Sequence, residues 1–373
     1  MKIYLSKPHM CGEEEKFVKE AFASNFIAPL GPHLDAFEDA VSNYLGKGLY
    51  CVGLSSGTAA LHLALIVAGV EKDDEVWVSS MTFGGGVFPI KYIGAVPRFF
   101  DLNPQSWCID VEILSEELEK AANENRLPKA IIPTDLYGQS VDLHKLEQLS
   151  KQYEISLVVD SAESLGAEYL DGKKAGSGGD IAILSFNGNK IITTSGGGMI
   201  VTSNREWADK VRFLSTQARD RALHYQHSTI GFNYRLSNIS AAIGLGQMKV
   251  LDKRVNKRRE IFSRYFSRLS VDGINFMPEP DGYKSSRWLT TLSVDKKVLG
   301  FDHLDIINHL EKNNIESRPL WKPMHLQPVF KDCSYHGSGF DESLFNSGIC
   351  LPSCSDMTIE EQDKIIGLIS DLL

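Results

Sequence analysis

Three short segments carry residue types that could act together as a chemical site. Ser55-Ser56-Gly57-Thr58-Ala59-Ala60 lies between the apolar run 50–54 and a helical stretch marked by Leu61, Leu65 and Ala68. A strand that ends in small hydroxylated residues and opens a helix is an anion site. Free backbone N–H groups, the hydroxyls and the helix dipole all favour a phosphate there. The same residues fit a simpler role, with Ser56 or Thr58 as a helix N-cap. Asp160 closes the apolar run 155–159, at the carboxyl end of a buried-type strand where α/β sheets place ligand contacts, and Glu163 follows three residues later. A cap on the next helix would also explain Asp160. Lys190 stands just beyond the run 182–186, beside Ile191 and Ile192 and ahead of Gly196-Gly197-Gly198. Burial lowers a lysine pKa and makes its amine nucleophilic, as carbonyl chemistry requires. The competing reading is a surface lysine lying over Ile191.

Each signal is weak alone, and their combination is specific. A phosphate cradle, an acid at a strand end and a lysine 30 residues beyond it are the parts that pyridoxal 5'-phosphate needs. The lysine holds the aldehyde, the acid pairs with the pyridinium nitrogen and the cradle fixes the phosphate.

The elements that must position these residues alternate along the first two thirds of the chain. Strand-like runs at 50–54, 75–79, 96–100, 130–133, 156–159 and 182–186 are separated by helical stretches such as 112–124 and 142–153. This alternation predicts an α/β fold with a large, mostly parallel sheet covered on both faces. Near Leu236 the pattern changes to long helix, in two segments through Leu269, rich in Arg and Lys after Asp252. Pro278, Pro280 and Gly282 break the chain, and a strand near 288–294, a helix at 303–313 and a C-terminal helix after Thr358 follow. The expected division is a large domain over 1–250, including an N-terminal arm, and a smaller C-terminal α+β domain over 251–373.

Composition narrows the function classes. The 373 residues carry a net charge of -9, which offers no general attraction to nucleic acid or an anionic membrane. The longest apolar run, 59–70, is interrupted by His62 and is too short to span a bilayer. The N-terminus shows no secretory pattern. Six cysteines are scattered without a CxxC pair or zinc-site spacing, so no metal is expected and the thiols read as reduced, in a cytoplasmic protein.

The sequence resembles the DegT/DnrJ/EryC1/StrS family of sugar aminotransferases over essentially its whole length. The resemblance is carried by Ser56-Gly57-Thr58-Ala59-Ala60-Leu61, Thr82-Phe83, Asp160-Ser161-Ala162-Glu163, Ser185-Phe186 with Lys190, glycines 196–198, and Gly231-Phe232-Asn233-Tyr234-Arg235. It implies the aspartate-aminotransferase architecture, fold type I. Further blocks, at 4–10, 25–31, 187–195 and 318–322, resemble a narrower bacterial subgroup. That subgroup acts at C4 of UDP-linked 4-keto-6-deoxy-N-acetylhexosamine, on the route to bacillosamine-type sugars.

By this resemblance Lys190 would bond the cofactor aldehyde and Asp160 the pyridine nitrogen. Phe83 would stack on the ring, and Ser56, Gly57, Thr58 and Ser185 would hold the phosphate. Glu163 would lie near the ring hydroxyl. Asn233 would reach the phosphate of the other subunit, making a homodimer with shared active sites. Glutamate would be the amino donor, with pyridoxamine phosphate as the intermediate cofactor form, and a nucleotide-linked 4-ketosugar the acceptor. On the substrate side the resemblance points to Asn25, Pro29 and Leu30, while Arg318, Trp321 and His325 could supply local positive charge and contact for a diphosphate. Gly84-Gly85-Gly86 stand where relatives carry bulkier residues, which implies a loosened loop beside the ring. Some family members carry His for the lysine and dehydrate sugars, and the intact Lys190 favours transamination. Two other readings stay open: a pyridoxal phosphate lyase, and a cofactor-binding sensor without turnover.

Overall fold

In the computed structural model, which describes residues 2–373, the apolar runs become twelve strands in two sheets. In chain order they are β1 (Tyr50–Leu54), β2 (Glu75–Ser79), β3 (Val96–Phe100), β4 (Ala130–Ile132), β5 (Ser156–Asp160), β6 (Ile181–Ser185) and β7 (Gly198–Thr202). The later strands are β8 (Ile274–Phe276), β9 (Thr290–Val294), β10 (Arg318–Pro319), β11 (Tyr335–His336) and β12 (Gly348–Leu351).

The large sheet has the order β1-β7-β6-β5-β4-β2-β3-β11. All its pairings are parallel except those of β7, which runs antiparallel to both β1 and β6. Its strands are apolar on both faces. Trp77, Leu157 and Val159 feed one core, and Val76, Val78 and Val158 feed the other. Helices cover both sides, so neither face of the sheet is left to water. β7 is not among the strands expected from the sequence. Gly198 opens β7 because a Cβ at that position would overlap the backbone of Ser56 and Gly57.

The second sheet, β10-β12-β9-β8, is antiparallel throughout. Its core holds Ile306, Leu310, Ile349, Leu351, Ile365 and Ile369. The long helix Leu251–Leu269 serves both cores: Leu251 and Val255 pack with the large sheet, whereas Ile261, Tyr265 and Leu269 pack with the small one. The chain also crosses between the sheets at two other places. Ile3 bridges Ile315 and lies in the small core, and β11 returns to extend the large sheet beside β3. The N-terminal arm therefore ties the two layers together close to the carboxyl ends of β5 and β6. Among the described residues no helix is long and apolar enough to cross a membrane, and no group of His, Cys, Asp and Glu could hold a metal ion.

Candidate active site

A cavity of about 820 Å³ opens at the carboxyl ends of the parallel strands and is roofed by the small sheet. Ser56, Gly57, Thr58, Phe83, Asp160, Glu163, Ser185, Lys190, Arg318 and Trp321 all line it. These residues come from segments spread over most of the chain, and the fold brings them to one place.

The cradle is the start of the helix Gly57–Val67. Ser56 is its N-cap, and its hydroxyl accepts a hydrogen bond from the Ala59 N–H at 3.0 Å. This capping role leaves the N–H groups of Gly57 and Thr58 in the first turn, where no intrahelical carbonyl can reach them. Ser185 ends β6 against Gly57, so close that a Cβ on Gly57 would sit 3.2 Å from the Ser185 Cβ. A phosphate set here would meet two backbone donors, the Thr58 and Ser185 hydroxyls and the positive end of the helix.

Asp160 is the last residue of β5 and is buried. One carboxylate oxygen accepts from the Ala162 N–H at 3.1 Å. Burial pushes the carboxyl up to about 6, against the pull of the Ala162 N–H and the Lys190 charge. A buried acid this reluctant to ionise gains from a cation placed beside it. Asp135, whose N–H donates to the Asp160 carbonyl at 2.9 Å, was not singled out in the sequence. It is fully buried and accepts from Ser161 Oγ and Ser164 Oγ, both at 2.7 Å, and from the Val141 N–H at 2.9 Å. It thereby fixes the turn that carries Glu163.

Lys190 is held in an apolar corner. Its Nζ lies 3.1 Å from Glu163 Oε1 and 4.1 Å from the centre of the Trp288 ring. The other oxygen of Glu163 accepts the Tyr137 N–H at 2.9 Å. Burial pushes Glu163 up to about 7, while Lys190 and the Tyr137 N–H pull it down. Glu163 is thus a buried acid whose ionisation falls near neutral pH, hydrogen-bonded to the half-buried Lys190. Trp288, Tyr137, Thr134 and Glu316 were missed in the sequence. None of them lies in a short motif, and Trp288 reaches the lysine from far along the chain.

The triple glycine corrects an expectation. Gly84–Gly86 form a tight 3-10 turn, not a loose loop. A Cβ on Gly85 would lie 2.7 Å from Thr58 Oγ1, and one on Gly86 would lie 2.6 Å from Thr82 Oγ1 and 2.7 Å from Asp160 Oδ2. The turn is glycine because it packs against the cradle and the acid. Phe83 projects from it at the cavity mouth, 63% exposed, with its ring centre 5.7 Å from that of Trp321.

The substrate-side residues divide. Arg318 and Trp321 line the small-sheet wall with Lys322, and Arg318 pairs with Glu316 at 3.1 Å. His325 does not line the cavity. Its ring is stacked on Tyr335 at 3.9 Å and bonded to Glu342 at 3.1 Å, because the 3-10 turn Met324–Leu326 directs it towards β11. Pro29 and Leu30 lie on a separate hollow with Thr216, Gln217, Arg219 and Arg235. Asn233 bridges Thr216 beside that hollow, and Asn25 precedes it with a φ of 61°. None of these lines the cavity of its own chain.

Two observations test whether the cavity fits the cofactor expected from the sequence. Thr82 Oγ1 and Thr134 Oγ1 are buried at the cavity wall without a hydrogen-bond partner, so the wall is built for a polar guest. Glycine is also required wherever the 83–86 turn approaches Asp160 and Thr58, which leaves a flat slot between acid and mouth.

The profile of the DegT/DnrJ/EryC1/StrS aminotransferase family matches residues 8–370. The chain belongs to this family. The family works with pyridoxal 5'-phosphate, and the cavity brings together a helix N-terminus, a buried acid and a lysine that fit it. Among relatives, EpsN of Bacillus subtilis (strain 168), named as a candidate pyridoxal phosphate-dependent aminotransferase, is 48% identical over 100% of this chain and 96% of its own. A GDP-perosamine synthase of Caulobacter vibrioides is 33% identical over 100% of this chain and 98% of its own. The crystal structure of an aminotransferase, TlmJ of Streptoalloteichus hindustanus, has a TM-score of 0.90 at 27% identity, covering 99% of this chain and 98% of that one. The architecture is that of fold type I, shared with these family members.

Gly86→Ala tests the slot directly. The added methyl has no room between Thr82 and Asp160, and overpacking of this kind costs roughly 1–3 kcal/mol. Cofactor affinity is expected to fall at least tenfold, read by absorbance titration with pyridoxal phosphate. Unchanged affinity would mean that the turn and Asp160 give way freely.

Proposed function

We propose that the protein transfers an amino group from glutamate to the C4 ketone of a nucleotide-linked sugar, a UDP-linked 4-keto-6-deoxy-N-acetylhexosamine, and that it works as a homodimer. The observation that carries this reading is the half-buried Lys190, paired with the buried Glu163 and sharing one cavity with Asp160 and a helix N-terminus. Likeness to a GDP-perosamine synthase supports a nucleotide-linked sugar as acceptor. The blocks at 25–31 and 318–322 favour the N-acetylhexosamine subgroup.

The bound cofactor supplies an aldehyde to receive the amine and a ring that draws electrons from the carbon losing its proton. Gly57, Thr58 and Ser185 would hold the phosphate, and Asp160 would face the ring nitrogen and favour its protonated form. Lys190 Nζ would be the amine that holds the aldehyde and, once free, the base that moves the proton from the donor Cα. Lysine suits this double role as leaving nucleophile and nearby base. Glu163, bonded to Lys190 Nζ, would orient that amine in the cavity. 2-Oxoglutarate leaves, and the sugar ketone enters the same cavity past Arg318, Trp321 and Lys322 for the reverse sequence.

The dimer reading rests on the second hollow. Phe26, Ile27 and Leu30 around it are exposed, and the neighbouring loop carries exposed Leu223, Tyr225 and Ile230. Such an apolar patch asks for cover, and a second copy would bring Asn233 and the 25–31 loop towards its neighbour's cavity.

The test has two stages. Glutamate alone should bleach the cofactor absorbance, with one equivalent of 2-oxoglutarate released. UDP-, GDP- and dTDP-linked 4-ketosugars are then offered in turn. An aminosugar formed fastest on the UDP-linked N-acetylhexosamine, by a protein that sediments as a dimer, is the expected result. Preference for a GDP-linked hexose would overturn the acceptor, and no response to glutamate would favour the sensor.

A further inference from the structure

Arg258 is a buried cation with no carboxylate partner. It is 1% exposed, its Nε has no hydrogen-bond partner, and no acidic side chain lies within ion-pair distance among the described residues. Burial pulls its guanidinium down to about 10. An uncompensated buried charge destabilises a fold, so its retention asks what it holds.

It holds two groups that meet at one atom. One guanidinium nitrogen donates to the main-chain carbonyl of Trp288, and the other donates to Ser6 Oγ at 3.1 Å. Ser6 Oγ in turn donates to the carbonyl oxygen of Asn189 at 2.6 Å, and Trp288 Nε1 donates to the same oxygen at 2.8 Å. Asn189 immediately precedes Lys190, whose own N–H closes the turn onto the Asn187 carbonyl at 3.0 Å. The ring of Trp288 also lies over the Lys190 ammonium. The N-terminal arm, the helix Leu251–Leu269, the segment before β9 and the turn after β6 therefore converge behind the lysine.

We infer that Arg258 is a positioning residue, which clamps Ser6 and Trp288 onto the Asn189 carbonyl and so fixes the direction in which Lys190 presents its amine. The inference rests on the reading that Lys190 bonds the cofactor. A carbonyl that accepts two hydrogen bonds cannot rotate freely, so the peptide it belongs to sets the Lys190 backbone. Three of the four segments, all but the turn after β6, also reach the small sheet or its core, so the clamp carries their placement to the reactive nitrogen. An error of about 1 Å at a reacting atom can cost on the order of 10²-fold in rate.

Three variants separate positioning from mere packing. Arg258→Met keeps most of the volume and removes the unpaired charge. The double variant Ser6→Ala, Trp288→Phe removes both donors to Asn189 but keeps an aromatic ring at the lysine. Arg258→Lys keeps the charge without the fork. Each is compared with the wild-type holoenzyme for thermal midpoint, kcat, KM for glutamate, and the pH midpoint of the cofactor absorbance. The expected result for Arg258→Met is a thermal midpoint equal to or above wild type, kcat at least tenfold lower, KM within about threefold, and a pH midpoint displaced by half a unit or more. The double variant should show the same kinetic and spectral changes, and Arg258→Lys should recover only part of kcat. A thermal midpoint that falls while kcat per folded molecule and the pH midpoint stay unchanged would overturn the clamp. So would a double variant that behaves as wild type. If wild-type protein reduced with borohydride in the presence of cofactor carries no label on Lys190, the underlying reading fails instead, and the two failures are distinct.

Discussion

Lys190→Ala is expected to abolish turnover, with kcat at least roughly 10⁴-fold below wild type, while the protein remains folded. The size of the loss follows from the two roles assigned to one nitrogen, nucleophile and base, because removing either alone is costly. The retained fold follows from Glu163. Deleting the cation 3.1 Å from a buried carboxylate would be strongly destabilising if the carboxylate had to stay charged. Glu163 is already pushed up to about 7, and without the Lys190 charge that opposes its burial it moves higher still. It can therefore take up a proton and remain buried as a neutral acid. The sign is definite. A folded-state pKa above the unfolded value near 4.3 gives stability that is present at low pH and is lost as pH rises through the folded pKa. The variant's thermal midpoint should thus fall more steeply than that of wild type between pH 7 and 9. Borohydride reduction and peptide mapping supply the chemical check: the wild-type label belongs on Lys190, and the variant should carry none. A label elsewhere would move the reactive amine to another lysine.

Asp160→Asn is expected to lower kcat by roughly 10²–10³-fold, the loss typical of one preorganised electrostatic group at a reacting centre. An amide can still bond the ring nitrogen, but it brings no charge to keep that nitrogen protonated. The acid also predicts a pH dependence that the amide should erase. In the cofactor-free protein the Asp160 carboxyl sits at about 6, raised by burial. A cationic ring beside it favours the carboxylate, so cofactor binding lowers this pKa and releases a proton wherever the free protein holds one. Affinity is then fully present above pH 6 and weakens below it, by up to about tenfold per pH unit. Titration of wild type and Asp160→Asn with pyridoxal phosphate between pH 5 and 8 separates this contribution from the cofactor's own ionisations. The wild-type dissociation constant should rise more steeply at low pH than that of the variant. Parallel curves would show that Asp160 does not face the ring nitrogen.

Both expectations grow from residues visible in the sequence, and what surrounds them was visible to different degrees. The strand and helix pattern of the first 200 residues was legible because it is local. An apolar run such as 75–79 or 156–159 ended by small or polar residues declares a buried strand whatever packs against it. The same logic set Asp160 at a strand end and Ser56 at the head of a helix. The motifs at 56–61, 160–163 and 185–190 carried the family and its cofactor.

Other features depended on partners distant in sequence. The direction of β7 is not written in its apolar residues, since a strand buried on both faces has the same periodicity either way up. It runs antiparallel to β1 and β6, and Gly198 meets the backbone of Ser56 and Gly57 only once the sheet is assembled. Gly84–Gly86 read as freedom in the sequence and became close packing once Thr58 and Asp160 stood beside them. His325 shares a segment with Arg318 and Trp321, yet a single 3-10 turn sends it to Glu342 and Tyr335, away from the cavity. The company of Lys190 was hidden for the same reason. Glu163 is 27 residues away, and the indole that caps the Asn189 carbonyl is 99 residues away. The sequence alone determined which residues could do chemistry, because residue type and local periodicity are properties of short segments. Only the tertiary structure decided which of them share a cavity and which partners set their protons, because burial and charge pairing arise where distant segments pack.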